Sequence, residues 1–260
     1  MIQRAGRGWC ARSAVASAVV ILLATQAYAA GPSKTGLYVP PVNAYIIAPG
    51  DTPVTLTFGS ASIASIQTQL DAARAANPDT PIVLTLRGSY TVSAAPLTLP
   101  SRTSLVLYGA IRAARNATAT SLIAISGQSK VGIAGGQLDG RGADLAGIAI
   151  DSSSKINIDE VTITATGRDG ISLTGAGNDV WDQGSAITRC DISLAGGNGM
   201  TVGAITQLLL LDNTVHANAG TGIQSSATHG SIVNNTSRFN AIGVQAVSYT
   251  HLTLPTILRV

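Results

Sequence analysis

From about Ser129 to Ser248 apolar and polar residues alternate in short runs, and a glycine followed by an apolar residue returns once per run. The phrases are Gly147-Ile148-Ala149-Ile150, Gly170-Ile171-Ser172-Leu173, Gly199-Met200-Thr201-Val202, Gly222-Ile223-Gln224 and Gly243-Val244-Gln245. Strict alternation over three to five residues is the pattern of a strand with one face buried. Two more such runs precede each glycine phrase, for example Ile156 and Ile158, then Val161 and Ile163. A repeat of about 20–25 residues with three short strands and tight turns predicts a solenoid whose coils are triangular in section. Coils stacked in register place parallel strands about 4.8 Å apart, and the handedness of parallel crossovers makes the winding right-handed. The expected fold is therefore all-β, a right-handed parallel β-helix.

Period 3.6 appears once with conviction. Ile63, Ile66, Leu70 and Ala73 share a helical face, and Asn77-Pro78 ends the run. This helix is placed to cap the first coil. Val54, Leu56 and Phe58 alternate with threonines before it; Ile82–Leu86, Tyr90–Val92, Leu97–Leu99 and Leu105–Leu107 follow as strands. The organisation read from the chain is a leader at 1–29, N-terminal strands or linker at 30–60, the β-helix at 61–246 and a tail at 247–260. Asn213 and Asn235 lie 22 residues apart, as do Asn218 and Asn240. Such spacing predicts amide ladders, each side chain bonding its equivalent one coil away. The repeat that begins at Gly170 is longer, and its surplus falls in Gly175–Gly184, which carries Asp179, Trp181 and Asp182. Surplus residues in a solenoid emerge as a loop, often over the binding face.

Residues 1–29 combine Arg4, Arg7 and Arg12, an apolar run from Ser13 to Ala24 and an Ala27-Tyr28-Ala29 cleavage phrase. This reads as a Sec-type signal peptide, so the protein is expected to be secreted, periplasmic or on the cell surface. Its three arginines equal the whole formal charge excess of +3, leaving a near-neutral mature chain. That chain has no basic field for nucleic acid, and no later segment is apolar enough to insert in a membrane. Cys190 is the only cysteine beyond the leader and reads as a core residue. The tail Val247–Ile257 drops the repeat and resembles a translated sequencing adapter, so the natural chain is expected to continue past about Ala246.

Ile66-Gln67 to Ala73, Leu97–Leu107 and Gly135-Gly136-Gln137-Leu138-Asp139-Gly140-Arg141-Gly142 resemble the pectin-lyase-like β-helix superfamily, closest to polygalacturonases. That resemblance implies a carbohydrate-active protein with polysaccharide as partner. It does not carry over the polygalacturonase site. Where that family has Asn-Thr-Asp-Gly this chain has Gly167-Arg168-Asp169-Gly170. The family's Asp-Asp pair falls on Gly197-Asn198, and its Gly-His-Gly on Thr221-Gly222-Ile223. Hydrolysis needs two carboxylates about 5–10 Å apart, and these positions keep one.

Lyase or epimerase chemistry on an acidic polysaccharide needs a cation for the uronate carboxylate and a base for the C5 proton. The phasing offers His216 as proton shuttle and Arg168 or Arg238 as neutraliser, with Asp169 beside them. Trp181, Asn198 and Arg189 are candidate substrate contacts. Asp182 and Asp191 are candidate Ca²⁺ ligands, Asp169 a further one. The alternatives are a noncatalytic β-helix adhesin or glycan binder, and a glycoside hydrolase with other catalytic residues. Asp169 and Asn198 have a simpler reading too, as residues that close turns. Asn116-Ala117-Thr118 and Asn235-Thr236-Ser237 match glycosylation sequons.

Overall fold

A computed structural model describes residues 46–47, 50–176, 184–203, 208–227, 230–246, 250–253 and 257–259. Each coil visits three sheets in turn, here called A, B and C, and every pairing between described strands is parallel. One coil illustrates the path. Ser129–Ala134 lies in sheet A and Gln137–Asp139 in sheet B. Ala146–Asp159 then serves two sheets: Ile148–Asp151 pair in sheet C, and Ser154–Asp159 pair in the next layer of sheet A. Ser152, in the bend between them, and Lys155, at the start of the second segment, are both at positive φ.

Alternation sets which side chains enter the interior. Leu84, Leu105, Ile133, Ile158, Ile187, Leu210 and Ile232 are in register along sheet A, each no more than 1% exposed. Sheet B contributes Tyr90, Ile111, Leu138, Ile163, Ile192 and Val215 to the interior; sheet C contributes Leu97, Ile123, Ile148, Ile171, Met200 and Ile223. Each buried aliphatic side chain stabilises by roughly 1.5–3 kcal/mol, and a core built this way grows with every coil. From Gly147 onwards the corner between sheets B and C is so tight that it requires glycine. A Cβ on Gly170 would lie 2.4 Å from Ile192 Cγ2 and 2.7 Å from the Gly199 carbonyl oxygen.

Helix α1 (Ile63–Ala76) closes the first coil as its sequence predicts. Ile63, Ile66 and Leu70 are buried against the open interior, and the Ser65 N–H donates to Ser62 Oγ at 3.1 Å as the N-cap. Gln67 completes the unpaired edge of sheet C: its amide nitrogen donates to Thr98 O at 3.1 Å and its oxygen accepts from Thr98 N at 2.8 Å. Arg74 donates to five carbonyl oxygens, those of Asn77, Pro78, Thr80, Ser101 and Arg102. Val54–Phe58 is the first strand of sheet A, laid on Ile82–Leu86.

Both asparagine ladders form. Asn213 Nδ2 donates to Asn235 Oδ1 at 2.8 Å in the turn from A to B, and Asn218 Nδ2 to Asn240 Oδ1 at 2.9 Å in the turn from B to C. Asn235 is 1% exposed, so its sequon is sealed inside the folded chain. Cys190 is buried and its thiol is pushed up to about 12 by desolvation, which leaves it an inert core group. At the far end, 250–253 pair with 230–233 and 257–259 with 236–238. The winding thus continues through segments that lack the Gly-apolar phrase.

Candidate functional site

Sheet B presents two outward columns. One runs Thr91, Arg112, Asp139, Thr164, Ser193, His216, Arg238; the other runs Ser89, Ala110, Gln137, Thr162, Asp191, Thr214, Thr236. Alternation puts them on the solvent side of Ile163, Ile192 and Val215, with Ala110 alone among them buried. Near the upper end, His216 Nε2 lies 3.2 Å from Asp191 Oδ1, a diagonal contact between adjacent strands. The His216 side chain is 27% exposed and that of Asp191 53%. His216 is stacked between Ser193 and Arg238. Arg238 is exposed and has no carboxylate partner among the described residues. Lower down, Arg112 and Arg141 approach Asp139 Oδ2 at 3.8 and 3.9 Å.

The turn that carries sheet B into sheet C adds a second element. Ala165, Leu194, Ala217 and Phe239 all sit there at positive φ. Bulky side chains in this region cost about 1–2 kcal/mol each and are uncommon. Leu194 is nonetheless 59% exposed and Phe239 73%. Two strained, solvent-facing apolar groups therefore follow directly on Ser193 and Arg238. Alternation places Leu194 with Ile192 as an inward strand residue, but the strand ends at Ser193 and Leu194 turns outward; Phe239, Ser193 and Thr164 carry no such signal. Leu194 and Phe239 nonetheless occupy equivalent places in repeats two coils apart.

The remaining predicted residues are distributed elsewhere. Asp169 and Asn198 are stacked as the phasing requires, but on the corner leading into sheet C, and their polar atoms work for the backbone. Asp169 Oδ1 accepts the Asn198 N–H at 2.8 Å, and Asn198 Oδ1 accepts the Thr221 N–H at 2.8 Å. Asn198 Nδ2 donates to Thr201 Oγ1 and Gln224 Oε1. This is the turn-closing arrangement. Arg168 is held bidentately by Asp144, at 2.8 and 3.0 Å; the guanidinium hydrogen bonds and charge lower the Asp144 carboxyl, and the carboxylate raises Arg168. Arg189 lies at the opposite corner, between sheets A and B. It pairs with Asp159 and, at 3.1 Å, with Glu160. Thr188 Oγ1 donates to Asp159 Oδ1 at 2.6 Å, yet burial dominates and raises the Asp159 carboxyl above its usual range. The candidates thus form three groups on different walls: His216, Arg238 and Asp191; Arg168, Asp169 and Asn198; and Arg189 alone.

Trp181 and Asp182 lie outside the described residues. Asp191 is directed to His216, and no three His, Cys, Asp or Glu side chains gather among the described residues. The two described candidates for calcium, Asp169 and Asp191, lie apart, the first bonded to the Asn198 N–H and the second to His216. No described helix is long and apolar enough to cross a membrane.

No curated protein matches the chain. Among solved structures, ORF18 of Geobacillus virus E2 superposes with a TM-score of 0.57 at 14% identity, over 71% of this chain and 42% of the viral one. The chain thus spans about two fifths of that protein's length. A Parabacteroides merdae protein proposed to be a glycosyl hydrolase gives a TM-score of 0.42 at 12% identity, covering 75% of this chain and 96% of the other. The A-module of the mannuronan C-5 epimerase AlgE6 from Azotobacter vinelandii gives 0.30 at 15%, covering 82% and 96%. These identities speak to the fold. The family described as the right-handed β-helix region matches residues 122–256, which is more than half of the sequence. Stacked parallel coils, buried aliphatic columns and this match together mean that the chain belongs to the right-handed β-helix family.

Proposed function

We propose that this is an exported β-helix protein that acts on an acidic polysaccharide, with lyase-type chemistry at His216. The observation that carries the reading is the stack of His216 beneath Arg238, with Asp191 at 3.2 Å from the imidazole. β-Elimination from a uronate asks for those three roles. The Arg238 guanidinium binds the sugar carboxylate and stabilises the charge that builds on it as C5 loses its proton. The neutral imidazole of His216 accepts that proton, and the imidazolium formed is stabilised by Asp191. The electron pair from the C5–H bond forms the C4–C5 double bond, and the C4–O bond breaks. The departing oxygen takes a proton from solvent or from His216.

A second reading is favoured by Phe239 and Leu194. Exposed apolar groups beside hydroxyl and guanidinium donors make a surface for stacking and hydrogen bonding a sugar without turning it over. One experiment separates the two. The protein is incubated with pectate, alginate and a neutral glucan, and ultraviolet absorbance of unsaturated uronate is followed together with reducing ends. Lyase action gives the absorbance on a uronan and loses it in His216→Ala. Reducing ends without absorbance indicate hydrolysis. Retention of the polymer with neither signal identifies a binder.

A further inference from the structure

We infer that the polysaccharide lies lengthwise on the outer wall of sheet B, parallel to the solenoid axis, rather than over sheet C. The inference deepens the glycan-directed reading above and can fail separately from its chemistry. The two walls differ in what they leave available. On sheet C one outward column is Thr98, Ala124, Ala149, Ser172, Thr201, Gln224 and Gln245, with no ionisable group, and the adjacent one, Ser126, Asp151 and Thr174, holds a carboxylate and no cation. The polar groups at its edge, Asp169 and Asn198, have acceptors committed to the N–H groups of Asn198 and Thr221. Asn198 and Gln224 are also bonded to each other.

Sheet B differs in carrying cations and an imidazole, with Ser193 Oγ donating to Thr164 Oγ1 at 3.4 Å and Arg112 pairing with Asp139. From Arg112 to Arg238 its column holds six consecutive polar side chains, all donors or acceptors: Arg112, Asp139, Thr164, Ser193, His216 and Arg238. Five strand spacings of about 4.8 Å make this strip about 24 Å long, suited to an oligosaccharide rather than a single sugar. Its hydroxyls match sugar hydroxyls. Arg238, without a carboxylate partner among the described residues, and the imidazole lie together at one end, where Phe239 supplies an exposed ring. Charge complementarity therefore selects a linear glycan that carries carboxylates, with a uronate at the Arg238 end. Phe239 supports this independently, because an aromatic held at φ 55 and 73% exposed contributes nothing to the core.

The test blocks one wall at a time. Affinity for size-defined oligogalacturonates and oligoalginates is measured with the unmodified protein, Thr164→Trp, Ser172→Trp and Arg238→Ala, each checked for native thermal unfolding. Thr162→Trp, on the adjacent exposed column, replaces Thr164→Trp if that variant does not fold. At least tenfold weaker binding on blocking sheet B and in Arg238→Ala, with Ser172→Trp unchanged, is the expected result. Weakening by Ser172→Trp alone, indifference to both blocks, or no uronan binding by the unmodified protein overturns the assignment. Binding that is sensitive to the sheet B block but yields no unsaturated product leaves the strip standing and refutes the lyase chemistry.

Discussion

Asn213 offers the sharpest test of how the coils are held together. It is 1% exposed, and its side chain makes three bonds. Oδ1 accepts the Cys190 N–H at 2.9 Å, and Nδ2 donates to Ile187 O and to Asn235 Oδ1, both at 2.8 Å. Asn213→Ala strands the Cys190 N–H and the Ile187 carbonyl in the interior. Asn235 Oδ1 keeps the Asn213 N–H at 2.9 Å and is only half deprived. Each buried orphan costs about 1–3 kcal/mol, so the variant should lose about 2–5 kcal/mol in urea-denaturation stability. Asn213→Asp is nearly the same shape and should be worse at neutral pH. Its second oxygen would face two acceptors, Ile187 O and Asn235 Oδ1, with a buried charge added. Protonation turns that oxygen into a donor, so the Asp variant should regain stability as pH falls. Thr214→Ala, on the outward side of the next residue, should change stability by less than about 0.5 kcal/mol. A neutral Asn213→Ala, or an Asp variant as stable as the unmodified chain at neutral pH, would refute the ladder argument.

Four further outcomes follow from the same geometry. Gly170→Ala should destabilise by about 1–3 kcal/mol in the same denaturation assay, because Ile192 and the Gly199 carbonyl must both move to admit a Cβ. Arg74→Ala removes five carbonyl contacts at the capping helix and should cost about 2–4 kcal/mol, seen also as faster amide exchange at Thr80 and Arg102. Asp159 has its carboxyl raised on folding, chiefly by burial; its contribution is fully present below the ordinary carboxylate range and is lost as pH rises through the raised value. A stability-versus-pH comparison should therefore show the unmodified chain losing ground relative to Asp159→Asn as pH rises through that window, and parallel curves would contradict it. Phe239→Gly relieves a positive φ and should gain up to about 1 kcal/mol of stability while weakening uronan binding; a loss of stability would mean that the ring packs in the fold.

The fold was legible because its main determinants are periodic. Glycine at the B-to-C corners from Gly147 to Gly243, one apolar residue at each inward place and asparagines 22 apart all reflect a single stacking constraint, and each met its partner in the next coil. The strands Ala110–Ala113 and Ser121–Ser126 escaped the reading. The first carries a single bulky apolar side chain, Ile111, and the second precedes the stretch where the glycine phrase becomes regular. The site was legible only in pairs. Phasing put His216 on Arg238 and Asp169 on Asn198, but it specifies height along the axis and not the wall around it. Asp191 reached His216 by a diagonal contact that repeat spacing does not encode. Arg168 and Arg189 looked free because their carboxylates, Asp144, Asp159 and Glu160, sit one coil away, about 24 to 30 residues earlier in the chain. Leu194 and Phe239 stood out least: alternation alone gives no sign that a turn holds a large apolar residue at positive φ.

The most direct measurement is a crystal structure of the His216→Ala protein with an oligogalacturonate or oligoalginate bound. The account predicts sugar density along Thr164, Ser193 and the position of His216, with a carboxylate on the Arg238 guanidinium and a ring against Phe239. Density over Ser172, Thr201 and Gln224, with sheet B bare, would contradict it.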